Sequence, residues 1–117
     1  MTNDLYNTNL ADGEKWMAHK DYERAYEAFS AALNAKPDDH KALMRLGMAS
    51  YKLRNFPQAV KHFSRLLELD PKDREATFSL GVVYIKAGDK AKALATYEKL
   101  KKLHPEKAEE LFKLVYA

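Results

Sequence analysis

Apolar residues recur along this chain at intervals of three and four, and the pattern itself repeats. Ala59, Phe63, Leu66 and Leu67 fall on one face of a helix. Leu43, Leu46, Gly47 and Ser50 do the same within Asp39–Leu53, and Leu80, Gly81 and Tyr84 form the matching face of the segment that follows. The pattern predicts helices over Tyr22–Ala35, Phe56–Leu69 and Lys90–Leu103. Each is preceded by a capping residue, Asp21, Asn55 or Asp89, whose side chain accepts bonds from the free N–H groups of the first turn. Asp39 and Asp73 are placed to cap the helices that alternate with these. Pro37, Pro71 and Pro105 follow the three helices and push the preceding residue out of the α region. Lys107–Ala117, with Leu111, Leu114 and Val115 on one side, reads as a closing helix, which makes seven in all.

These signals share one period. The three prolines lie 34 residues apart, and so do Gly13, Gly47 and Gly81; Ala25, Ala59 and Ala93; Phe29, Phe63 and Tyr97; and the three caps. A glycine inside a helix costs about 1 kcal/mol against alanine. Its return at a fixed place therefore predicts a close approach of two helices, with Ala59 and Ala93 as the small residues across the contact. Gly88 suits a turn that needs positive φ.

A unit of about 34 residues with W-x2-L-G-x2-Y, then A-x3-F, then P is the pattern of the tetratricopeptide repeat (TPR), and this chain resembles that family. The middle unit supplies Leu46-Gly47, Ala59-x3-Phe63 and Leu69-Asp70-Pro71; the last supplies Leu80-Gly81-x2-Tyr84, Ala93-x3-Tyr97 and Pro105. The first supplies Gly13-x2-Trp16, Ala25-x3-Phe29, Ala32 and Pro37. It departs from the pattern at Asn9 and Asp12, where the family prefers an aromatic and a leucine, and Ser50 replaces an aromatic in the middle unit. The resemblance implies an all-α, TPR-type right-handed α-solenoid: three helix-turn-helix repeats over about 6–39, 40–73 and 74–107, and a capping helix over about 107–117. Repeats of this size are stable only when stacked on their neighbours.

Composition narrows the function. At 117 residues, 46% of them hydrophobic, the chain is expected to form one domain. The absence of cysteine rules out disulfides, thiolate nucleophiles and Cys-ligated metals. No secretory signal opens the chain and no apolar run approaches the roughly 20 residues of a membrane span, so a cytoplasmic protein, or a segment of a longer one, is expected. His19, His40, His62 and His104 share no ligand spacing, and neither a phosphate-binding loop nor a nucleophile motif appears. The reading is no enzyme, no metal and no cofactor. Charge is uneven: residues 1–39 hold four Lys/Arg against eight Asp/Glu, a net of −4, while residues 40–107 net +8. Acidic residues interleave throughout and no nucleic-acid motif appears.

In the family architecture the first helix of each repeat lines a concave groove. The faces left for it here hold Leu10 and Met17; Lys41, Met44, Arg45, Met48, Tyr51 and Lys52; and Phe78, Val82, Ile85 and Lys86. An exposed apolar stripe marks a binding site, and methionines let it re-pack around differing ligands. The expectation is a groove that takes a protein or peptide partner with apolar anchors and acidic flanks. The family's carboxylate clamp for chaperone tails would fall on Leu10, Glu14, Arg45, Glu75 and Ser79, and its Lys, Asn and Arg set is missing. The alternative is a self-associating assembly unit, a homo-oligomer formed through the groove or through the C-terminal helix with Leu111, Phe112, Leu114 and Tyr116.

Overall fold

The computed structural model describes residues 2–117. Seven helices and no strand are present among them: α1 (Thr2–Ala18), α2 (Tyr22–Ala35), α3 (His40–Lys52), α4 (Phe56–Leu69), α5 (Arg74–Lys86), α6 (Lys90–Leu103) and α7 (Pro105–Val115). The bounds of α2, α4 and α6 are those the period predicts. The chain divides into two compact units, one ending at His62 and the other running Phe63–Ala117, with the division inside α4.

In the first unit Ala25, Phe29 and Leu46 form a dry core, against which Leu10, Trp16, Met17, Tyr26 and Leu33 pack. Gly13 is buried, and a Cβ added there would lie 2.3 Å from Cε1 of Phe29. The side chain nearest the glycine is thus an aromatic ring from α2. Asp21 accepts from the Arg24 amide at 3.2 Å, Asp39 from Ala42 at 3.0 Å and Asn55 from Gln58 at 3.4 Å. Asp39 also accepts the Tyr6 hydroxyl at 2.7 Å. The cap of α3 is thereby tied to the first turns of α1, which offset their missing leucine and aromatic with a polar contact. Burial, and then the Asp39 carboxylate, push the Tyr6 phenol up to about 12.

His62 is a second polar anchor in this unit. It is buried, and its Nε2 lies 3.0 Å from the Tyr26 hydroxyl. Burial, aided by the Lys61 charge, holds its pKa below the usual histidine value. The unfolded chain therefore takes up a proton near the ordinary value of about 6.5, before the folded chain does. Stability should be complete above that pH and fall as the pH drops toward the depressed folded-state value. Urea midpoints measured from pH 7.5 to 5.5 should show this slope, and His62→Gln, which keeps a polar group beside Tyr26, should flatten it.

In the second unit Leu100, Ala108 and Leu111 form the core, with Phe78, Val82, Ile85 and Tyr97 packed on it. A Cβ on Gly81 would lie 2.6 and 2.9 Å from the two methyl carbons of Leu111. Here too the glycine makes room for a large side chain, and the alanine expected opposite it is not among its nearest neighbours. Asp73 and Asp89 cap α5 and α6, accepting from Ala76 and Lys92 at 3.0 Å each. The closing helix starts at Pro105, two residues earlier than expected. Pro105 occupies the first turn, where no amide donor is needed, and Nδ1 of His104 accepts from the Lys107 amide at 3.1 Å.

The turns inside the repeats share a left-handed residue. Lys20 and Arg54 have φ of 60° and Gly88 has 82°, and the three lie one period apart. Glycine meets this need freely in the last repeat, whereas the first two hold a lysine and an arginine in a conformation that side chains disfavour.

Candidate functional site

The first helix of each repeat was expected to expose an apolar stripe, and the structure divides those residues into packed and presented sets. Leu10 and Met17 of α1 are half-buried and lie against Ala25, Phe29 and Leu46. Met44 is 7% exposed, which corrects its place in the expected binding face: it packs and presents little to a ligand. Tyr51 is half-buried, its ring 6.2 Å from Phe56. What α3 does present is Lys41, Arg45, Met48 and Lys52. Their spacing of four, three and four places them on one stripe, and Met48 is 37% exposed.

Arg45 already has a carboxylate. Its Nε donates to Oε1 of Glu14 from α1, and its Nη1 lies 3.8 Å from the Met48 sulfur. An ion pair this accessible contributes roughly 1 kcal/mol or less. Lys41 and Lys52, one to either side, are exposed and form no ion pair among the described residues. The surface is a methionine set in a row of cations, narrower and more basic than the apolar stripe expected.

In the second unit Phe78, Val82 and Ile85 are half-buried, because α7 lies over them through Ala108 and Leu111. The Lys107 ammonium stands 4.7 Å over the Phe78 ring. The closing helix thus occupies much of the apolar face of α5, and Lys86 remains exposed beside it. The cue was in the sequence: Gly81 returns at the period position, and Ala108 and Leu111 lie three apart on the closing helix.

A shallow apolar crevice in this unit, about 330 Å³ in volume, is lined by Leu80, Tyr84, Ala95 and Thr96 with Lys92 and Lys99 at its edge. No group of His, Asp or Glu among the described residues is placed to hold a metal ion. No helix among them is long and apolar enough to cross a membrane.

Two family models described as tetratricopeptide repeat match the chain, over residues 17–76 and 51–108. No curated protein matches it. Among solved structures, it is similar to the TPR2B domain of yeast Sti1 in a pHsp70 complex, at 22% identity over 96% of this chain and 94% of that one, TM-score 0.84. It is similar to the Arabidopsis OM64 TPR domain at 16% identity over 99% and 98%, TM-score 0.87. It is also similar to the second TPR domain of human RPAP3 in complex with the HSP70 peptide SGPTIEEVD, at 18% identity over 100% and 99%, TM-score 0.86. At these identities the likeness is one of fold.

Proposed function

The chain belongs to the tetratricopeptide-repeat family, and we propose that it is a non-enzymatic interaction module that holds a peptide segment of a partner protein on the exposed faces of its first-type helices. The observation that carries this reading is the α3 stripe, where Met48 stands exposed among Lys41, Arg45 and Lys52. Such a surface favours a segment with an apolar anchor and flanking Asp or Glu. Similar TPR folds are known in complex with short peptides, among them the HSP70 peptide on human RPAP3, which supports a peptide as the ligand class.

Recognition of a chain terminus is not part of this reading. The positions that the family resemblance assigns to a chaperone-tail clamp hold Leu10, Glu14, Arg45, Glu75 and Ser79. Arg45 is the single cation of that set, and Glu14 takes it. In the first unit a terminal carboxylate therefore meets an arginine already paired with Glu14.

Selection of displayed random peptides on the full chain tests the reading. Enriched sequences should carry Asp or Glu around an aliphatic or aromatic residue. Met48→Glu should weaken them about tenfold or more, the cost of a charge at an apolar anchor, and Glu14→Gln should strengthen them by freeing Arg45. Because the clamp set for a terminal carboxylate is missing, SGPTIEEVD with a free and with an amidated C-terminus should bind alike. Ligands without acidic residues, or ligands indifferent to Met48→Glu, would sink the proposal.

A further inference from the structure

The end of α7 carries an aromatic face that the repeat packing leaves unused. Among the described residues seven large apolar side chains stay exposed, and Phe112, Leu114 and Tyr116 cluster at this one helix end. Phe112 and Tyr116 are one turn apart with ring centroids 4.9 Å from each other, and Phe112 meets Tyr97 of α6 at 5.1 Å. Leu114 projects from the other flank of the helix. Lys90 stands 4.3 Å over the Tyr116 ring and Lys101 5.9 Å over Tyr97, so lysines of α6 border the row at both ends. Toward the start of α7 the stripe of Phe112 continues through Glu109, which is exposed. One face therefore combines an apolar centre, a basic border on α6 and a carboxylate on α7.

We propose that this face docks a second copy of the chain, the two α7 helices lying antiparallel around a two-fold axis at Phe112. A two-fold contact requires a surface complementary to itself, and this one carries both signs of charge around its rings. With Phe112 of each copy at the axis, Glu109 of one copy lies about a turn away, over the Tyr116 of the other. That ring is the one beneath Lys90, so each copy brings a carboxylate to the other's ammonium, twice by symmetry. A nucleic-acid strand is a poorer occupant: Lys90 and Lys101 already cover ring faces that bases would stack on, and Glu109 repels phosphate. The proposal uses none of the α3 residues and stands or falls independently of the peptide reading.

A face one helix wide buries less than the ~1,600 Å² of a standard interface, so the dimer is weak and concentration decides its population. Sedimentation equilibrium of the full chain, from about 10 µM to about 1 mM, should show the mass rising from 13.4 kDa toward twice that value. Phe112→Glu sits on an exposed side chain, should leave the helical circular dichroism unchanged, and should raise the dissociation constant at least ~10-fold. Lys90→Glu and Glu109→Lys should each weaken the dimer, and the two together in one chain should restore it, because symmetry then pairs the reversed charges. A constant mass up to 1 mM, association indifferent to Phe112→Glu, growth beyond a dimer, or failure of the paired reversal would each overturn it.

Discussion

Gly13→Ala should destabilise the protein by about 2 kcal/mol or more, although the same change in an exposed helix stabilises by about 1 kcal/mol. The added methyl would lie 2.3, 2.4 and 2.8 Å from three carbons of the Phe29 ring, well inside contact distance. The ring has nowhere to go. Phe29 is fully buried and belongs to the core with Ala25 and Leu46, and such interiors are packed nearly as densely as organic crystals. Either α1 moves away from α2, or the ring leaves its rotamer. Each outcome loses contacts that Leu10, Trp16 and Met17 make with the same core. Thermal unfolding should shift down by about 10 °C. Phe29→Leu added to Gly13→Ala should recover part of the loss, since a shorter side chain vacates the overlapped volume, whereas Phe29→Leu alone should only cost stability. A Gly13→Ala variant that is more stable than the parent would show that helix propensity, not the contact, governs this position.

That pair also shows how far the period in the sequence reaches. A glycine returning every 34 residues announces a close approach, since nothing else offsets its cost inside a helix. It does not say what approaches. The alanine column points to small residues across the contact, and the atoms nearest to Gly13 and Gly81 belong to the bulky Phe29 and Leu111. Caps were legible because their mechanism is local: Asp21, Asn55, Asp89, Asp39 and Asp73 each reach an amide three residues on. The cap by His104 was not, because histidine is not a usual capping residue and its role follows from Pro105 opening α7. Turn chemistry was half legible. Gly88 announces its positive φ, whereas Lys20 and Arg54 adopt the same backbone with no residue-level cue. Tyr6 is the opposite case: its bond to Asp39 spans 33 residues, and no local pattern contains it.

The candidate surface was legible as a stripe and misjudged in its chemistry. Helical spacing sets Lys41, Arg45, Met48 and Lys52 on one side of α3, and all of them but the half-buried Arg45 are exposed. Apolar residues beside that stripe were read as presented when several are packed, because spacing fixes direction and not what lies in that direction. Met44 is buried, and α7 covers much of Phe78, Val82 and Ile85. The Glu14–Arg45 pair joins residues 31 apart in sequence and turns what looked like an open cation into an occupied one.

Leu111→Ala should cost about 3 kcal/mol, within the 2–5 kcal/mol range for a fully buried leucine. The loss should be local in character. Only Ala108 and Leu111 of α7 are buried, so one truncation removes most of what holds that helix to the second unit. Amide exchange across α7 should then proceed by opening of this helix alone, at a free energy well below that of global unfolding. With α7 loosened, Phe78, Val82 and Ile85 lose their cover, and binding of an apolar dye should rise. Gly81 provides the internal control. Gly81→Ala alone should destabilise, because its methyl would fall 2.6 Å from a Leu111 methyl carbon. In the Leu111→Ala background that obstacle is gone, and the same change should become neutral or stabilising through helix propensity. The coupling between the two substitutions should exceed about 1 kcal/mol, as expected for residues in direct contact. Equal costs for Gly81→Ala in both backgrounds would mean that α7 is not seated against this glycine, and that α5 is free to present Phe78 and Val82 to a ligand.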